Sequence, residues 1–429
     1  MGAKVNPPWR LRGGYGMIDD MKSQDYVGAD APAELPAFRQ KRLEEPPRAL
    51  VLGGGPLGLE AALYASRLGH SVTLFEQGTE IAPQVRTWAH VSMFTPWASL
   101  RSSLGELVVK EAIRDGKIAV DKFPEERFYP LGGEFVDYYL NPLAHLLGKN
   151  IHRETRAVSL GRSYLFPEEH TNAPEKRTFR RFRLLTRSPL EEKIYTGDYV
   201  IDATGITRSP RWMGAGGMPA LGEMGSFRPI FHVLPDIKGR DRIHFRSKTT
   251  LLVGNGTSAA SAAVLLAEVA AGEPHGQVIW VSPSRDPLPV SVIPGDLLSR
   301  RDTILKKANL LVTNNHPQVR YSPMTQIDAI RHSLANNCFH VSLQVNHETK
   351  RLTVDSVVSM VGYRRDATSY ERVLAPEEIG LFVVGEQSAP PGDFLISQGR
   401  TQIRDAFRAI TGDADLDLYA QAAETLKAG

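Results

Sequence analysis

The chain has 429 residues, 42% of them apolar and 23% charged, and 51 Lys and Arg against 48 Asp and Glu leave a formal net charge of +3. That balance argues against a disordered or membrane-spanning chain, so small a charge gives no pull toward nucleic acid or acidic lipid, and the length predicts two or three domains of about 150 residues. The single cysteine, Cys338, excludes a disulfide framework, a Cys-rich zinc site and a redox-active cysteine pair within the chain.

Residues 1–46 are rich in Pro, Gly and charge without a sustained period, and read as an N-terminal extension, flexible or draped on a domain. They lack the apolar core of a signal peptide. No stretch of the chain reaches the roughly 20 apolar residues of a membrane span, so a cytoplasmic protein without an integral membrane segment is expected. Regular structure begins at Arg48-Ala49-Leu50-Val51-Leu52, an apolar run of buried parallel-strand type.

That run stops at Gly53-Gly54-Gly55-Pro56-Leu57-Gly58, which fits G-x-G-x-x-G and leads into residues of helix-forming composition up to Leu68. Gly53 permits the tight turn, Gly55 lets the backbone approach a pyrophosphate, and Gly58 lets helix and strand pack closely. With Pro56 opening the helix, the free N–H groups from Leu57 onward then lie at a helix start that favours phosphate charge. A second strand, Ser71 to Phe75, ends in Glu76, 23 positions beyond Gly53 and followed by Gln77. A carboxylate there accepts hydrogen bonds from a free ribose diol and repels a 2′-phosphate, so this site suits FAD or NAD and not NADP. The competing reading is a glycine turn that binds nothing.

Farther along, a basic, Phe-rich stretch from Lys176 to Arg187 reads as a solvated hairpin, and Tyr199-Val200-Ile201 as a strand ending in Asp202-Ala203-Thr204-Gly205. The strand-and-glycine grammar then recurs. Thr249 to Val253 precedes Gly254-Asn255-Gly256-Thr257-Ser258-Ala259, with alanine in the third glycine's place, and an Ala-rich helix follows. The next strand, Gln277 to Val281, ends in Ser282-Pro283-Ser284-Arg285 rather than in an acid. Hydroxyls and a guanidinium suit a 2′-phosphate, so Ser282, Ser284 and Arg285 favour NADPH over NADH; a solvated Arg on a turn is the alternative. A looser region around Asn314-Asn315-His316-Pro317 is followed by strand signals near Val357-Val358 and Leu381 to Val384, and by a final helix from about Gln398 to Ile410.

With both glycine clusters, Ala203-Thr204-Gly205, the degenerate repeat from Asp355 to Gly362-Tyr363, and Leu381 to Glu386, the chain resembles the two-dinucleotide-binding-domain flavoproteins over residues 48–412. The closest resemblance is to the class B flavin monooxygenase-like group. It implies an α/β protein of two Rossmann-type three-layer βα domains, the NAD(P)H domain inserted into the FAD domain. The expected order is 47–245 for the first part of the FAD-binding domain, 246–360 for the NAD(P)H-binding domain and 361–429 for the C-terminal FAD part. Ala203, Thr204 and Gly205 would mark the crossing between domains, and Gly385 and Glu386 would end the strand that holds the flavin ribityl chain. Glu stands where the group more often has Asp.

The resemblance also implies roles near the flavin. Phe394 precedes a helix whose start would face the isoalloxazine, an ordinary helix cap being the alternative, and Arg86 to Trp97 would run beside the ring. There Trp88 and Trp97 would stack on it or wall it off, and His90 would act as the catalytic proton relay; plain core tryptophans and a structural histidine are the alternatives. Asn255 or Ser258 would hold the nicotinamide cofactor, and Arg208 or Arg364 would clamp it. The linker signature of the group is not met by Phe231-His232-Val233-Leu234-Pro235-Asp236. The expected cofactors are thus FAD and NADPH, and the expected reaction is hydride transfer from NADPH to FAD and then oxygenation of a small organic substrate. An NAD(P)H-dependent reductase without oxygen chemistry and a non-catalytic FAD/NADPH-binding sensor stand as alternatives.

Overall fold

The computed structural model describes residues 45–119, 124–163, 180–206, 208–226, 229–346, 348–364, 378–389 and 394–428, and Pro47–Gly429 forms one compact unit. The extension up to residue 44, the start of the basic stretch at Lys176, and Gly392-Asp393 before the last expected helix lie outside the described residues.

The first lobe is built on a five-stranded parallel sheet. Its strands are β1 (Arg48–Leu52), β2 (Ser71–Phe75), β3 (Ile151–His152), β7 (Tyr199–Asp202) and β15 (Leu381–Val383), in the order β15-β7-β1-β2-β3. Successive side chains of a strand point to opposite faces, and here both faces are covered. Ala49 and Val51 of β1 face helices α1 (Pro56–Arg67), α2 (Ser103–Arg114), α3 (Asn141–Leu147) and α6 (Ile396–Thr411), whereas Leu50 and Leu52 face a second layer. That layer is the antiparallel meander β4 (Arg156–Arg162), β5 (Phe182–Arg187) and β6 (Glu192–Gly197).

The meander corrects the expected solvated hairpin. Phe182 and Leu184 are fully buried against the sheet, while Arg183 and Arg187 of the same strand point outward. The layer is tied down by Arg162, whose guanidinium lies 3.6 Å from the Phe182 ring centroid and pairs with Glu378 at 2.9 Å, both side chains 2% exposed.

The second lobe repeats the plan. A four-stranded parallel sheet, β10-β9-β8-β14, is formed by β8 (Thr249–Val253), β9 (Gln277–Val281), β10 (Val319–Ser322) and β14 (Ser356–Ser359). Helices α4 (Thr257–Ala270) and α5 (Ser299–Thr313) cover Leu252, Trp280 and Val358. The opposite face, with Leu251, Val253 and Val357, packs on the meander β11 (Thr325–Ser333), β12 (Cys338–Val345) and β13 (Glu348–Val354). This meander fills the region read as loose, because its alternating apolar positions find a partner only across the lobe.

Within the span expected for the first domain, Phe231 pairs with Val358, and Ile237 and Phe245 join the core of Leu252 and Trp280 in the second lobe. The chain then ends in a helix not expected from sequence, α7 (Leu418–Ala428), after α6 has closed on Gly412 in the left-handed region. Among the described residues no helix is long and apolar enough to cross a membrane.

Candidate functional site

The first glycine turn lies at the C-terminal end of β1, between β2 and β7, where the direction of chain connection reverses and an open α/β sheet leaves a crevice. Gly53 has φ +96°, and a Cβ there would lie 2.7 Å from the Ala203 carbonyl oxygen, so Ala203-Thr204-Gly205 backs directly onto the turn. At Gly58 a Cβ would meet the Gly53 oxygen at 1.8 Å. Gly55 is different, for nothing stands within 4 Å of its Cβ position. Gly55 is also the N-cap of α1, with no side-chain cap, and the first intrahelical bond is Leu59 N–H to Gly55 O. The amides before it therefore face open space at the positive end of the helix dipole, the arrangement a diphosphate requires.

Glu76 stands beside this opening, 5% exposed. Its two carboxylate oxygens accept the Gly54 N–H at 2.8 Å and the Gly78 N–H at 2.7 Å, so the acid expected to grip a ribose also fixes the turn. Gln77 is exposed next to it. Thr204 is held by Asp202, whose Oδ1 accepts both its amide and its hydroxyl.

Below the turn, α1 is anchored by a polar network that sequence reasoning missed. Glu60 is fully buried and accepts hydrogen bonds from the Tyr139 hydroxyl at 2.5 Å and the Ser102 hydroxyl at 2.8 Å. Burial pushes its carboxyl above the usual range, against the opposing charge of Arg400. Gly399 and Gln402 of α6 were missed too. A Cβ on Gly399 would strike Leu57 Cδ1 at 2.4 Å, and Gln402 Oε1 accepts the Gly385 amide at 2.7 Å. Each signal is a lone small or polar residue whose partner is far away in sequence.

The second glycine turn has the same form. Gly254 takes φ +131° with a Cβ position 2.2 Å from Met360 O, Gly256 is an N-cap without a side-chain cap, and nothing stands within 4 Å of its Cβ position. Asn255 and Ser258 are exposed at the mouth, Thr257 is partly so, and Ala259 is buried in the packing. At the end of β9 the expectation divides. Ser284 and Arg285 reach the surface, but Ser282 is fully buried and its hydroxyl bonds Tyr321 Oη at 2.8 Å. The structure thus removes Ser282 from a 2′-phosphate, because the neighbouring strand β10 seals it.

Around the expected flavin ring the structure also sorts the candidates. Trp97 is fully buried in the helical core and meets Tyr139 edge to face, so it walls nothing off. Trp88 is partly buried and packs against the backbone at Gly132. His90 stays in place as a candidate: its Nε2 is buried and has no hydrogen-bond partner among the described residues.

Two crossings join the lobes, and they pair with each other. The Arg211 N–H donates to Gly362 O at 2.9 Å and the Arg364 N–H to Ser209 O at 2.8 Å, while Arg364 lies over the Trp212 ring. Arg208 is exposed in a turn on the outbound crossing. Glu386, half-buried after Gly385, faces this junction. Burial pushes its carboxyl up, Arg211 opposes the shift, and the hydroxyl of Tyr363 is raised by burial and by Glu386. Phe394 lies partly buried just before α6. Among the described residues no cluster of His, Cys, Asp and Glu has the makings of a metal site.

Residues 17–94, which contain the first glycine turn, Glu76 and His90, match the family model of the pyridine nucleotide-disulphide oxidoreductases. No curated protein sequence matches the chain. Among solved structures, the bacillithiol disulfide reductase of Bacillus cereus is similar at TM-score 0.62 and 18% identity, over 86% of this chain and 98% of that one. The ornithine N-hydroxylase of Kutzneria sp. 744, with reduced FAD, NADP+ and L-ornithine, is similar at TM-score 0.59 and 15% identity, over 85% and 99%. A flavin monooxygenase from Stenotrophomonas maltophilia gives 0.55 and 16%, over 86% and 100%. At such identities the likeness is one of fold. Two parallel sheets, each with a glycine turn at the head of a helix, one set into the other through paired crossings, give this chain the fold of the two-dinucleotide-binding-domain flavoproteins.

Proposed function

We propose that the chain is an FAD-dependent NAD(P)H oxidoreductase of monooxygenase type, with NADPH as reductant and a small organic molecule as substrate. The observation that carries the reading is the pair of open helix starts at Gly55 and Gly256, each cleared of side chains over the place where a phosphate would sit. The chemistry supplied by bound FAD would be acceptance of a hydride from NADPH and delivery of the electrons to oxygen. The chain's own residues bind and orient: the turn from Gly53 to Gly58 takes the diphosphate, Glu76 the ribose and Glu386 the ribityl chain. On the other lobe Gly254 to Ser258 takes the second diphosphate, and Ser284 and Arg285 the 2′-phosphate.

His90 would hold or move a proton at Nε2, a nitrogen buried without a hydrogen-bond partner among the described residues. A route through protein thiols lacks its parts, because the one cysteine, Cys338, is buried on β12. NADPH oxidation followed in air and without oxygen tests the reading. Monooxygenation stops under anaerobic conditions after one reduction of the flavin; turnover that continues with an organic acceptor establishes a reductase instead. Flavin that NADPH does not bleach refutes both and supports a non-catalytic binder.

A further inference from the structure

The crossings alone make a weak guide for the angle between the lobes. Each carries a glycine in the left-handed region, Gly205 at φ +70° and Gly362 at φ +83°, with nothing within 4 Å of its Cβ position. Glycines with empty Cβ positions leave each crossing room for the backbone rotation that hinges use.

A second contact between the lobes lies away from them. Arg300, at the start of α5 in the second lobe, donates from Nη1 to Ser92 Oγ at 2.9 Å, and its guanidinium carbon lies 4.0 Å from the centre of the Tyr129 ring. Both partners belong to the first lobe and to one platform: Ser92 pairs with Leu131 in an antiparallel bridge, and the Met93 N–H donates to Pro130 O at 2.8 Å. That platform continues the segment bearing Trp88 and His90. On its own side Arg300 is held firmly, since the adjoining Arg301 makes a two-pronged pair with Asp296 at 2.7 and 2.8 Å.

We propose that Arg300 is a positioning residue that holds the second lobe against the platform at Ser92 and Tyr129, and so sets the approach of the two nucleotide sites. The consequence for hydride transfer rests on the function proposed above; the contact itself does not. Arg300 is exposed, so the contact forms and breaks without a large desolvation cost. A contact of this kind biases a two-state equilibrium by about three- to tenfold, enough to favour one lobe angle and still release it.

Spin labels test it, one on each lobe at Leu190→Cys and Leu334→Cys, positions 95% and 74% exposed, in a Cys338→Ser background. The distance distribution broadens or shifts in Arg300→Ala and Tyr129→Ala and is largely retained in Arg300→Lys, whose ammonium still reaches the ring. An unchanged distribution in Arg300→Ala overturns the proposal. In rapid mixing without oxygen, Arg300→Ala slows flavin reduction at saturating NADPH by about three- to tenfold, with flavin affinity and melting temperature unaltered. A broadened distribution with an unaltered reduction rate refutes the positioning role. A chain that takes up no flavin, yet shows the same Arg300-dependent distances, refutes the functional reading and leaves the lobe contact standing.

Discussion

Two alanine substitutions, Gly58→Ala and Gly55→Ala, separate what the first turn does for the fold from what it does for a ligand. At Gly58 the new methyl would lie 1.8 Å from the Gly53 carbonyl oxygen, where Cβ contacts below 3.0 Å essentially do not occur. The obstacle is backbone, so β1 and α1 must separate, a strain of about 1–3 kcal/mol. For a protein of this size the melting temperature then falls by roughly 2–4 °C per kcal/mol. At Gly55 the methyl meets nothing and φ is an ordinary −78°, so the fold loses only the few tenths of a kcal/mol, about 0.5, typical of a changed cap. It does enter the space above the open amides, and flavin affinity falls about tenfold or more, ~1.4 kcal/mol. Thermal melts without flavin and titration of flavin fluorescence read the two effects apart. Gly55→Ala binding flavin like the wild type, or Gly58→Ala melting like it, would refute the reasoning.

Three further outcomes are expected. The folded-state pKa of Glu60 lies above the unfolded one, so its stabilising contribution is present at acid pH and lost as pH rises through the folded value; the melting temperature of Glu60→Gln relative to wild type therefore climbs as pH rises above the ordinary carboxylate range, and a constant difference would contradict this. Arg162→Ala leaves Glu378 buried and costs about 3–5 kcal/mol in chemical denaturation, whereas an Arg162→Met, Glu378→Leu double variant recovers much of the loss. Arg285→Ala raises the KM for NADPH relative to NADH about tenfold, ~1.4 kcal/mol, while Ser282→Ala leaves that preference alone and lowers stability by about 1 kcal/mol through the lost bond to Tyr321.

Both glycine turns were legible from sequence because their causes are local. An apolar run, a residue that must take positive φ and a helix start follow within a dozen positions, and Glu76 stands one βα unit further on. The two-lobe plan follows from their repetition. Exposure, by contrast, is decided by what arrives from elsewhere in the chain. Trp97 and Ser282 have the right chemistry for a cofactor wall and a phosphate contact, yet Tyr139 covers one and Tyr321 the other.

The same holds for the meanders, whose alternating strands find their partner only in the parallel sheet beneath them, and for Phe231, Ile237 and Phe245, which join the second lobe. Sequence alone thus determined where backbone must bend and leave amides bare, since φ and helix polarity are properties of neighbouring residues. Only the tertiary structure decided which side chains meet that space, because burial and hydrogen-bond partnership depend on contacts such as Glu60 with Tyr139, 79 positions apart, and Arg300 with Ser92, 208 apart.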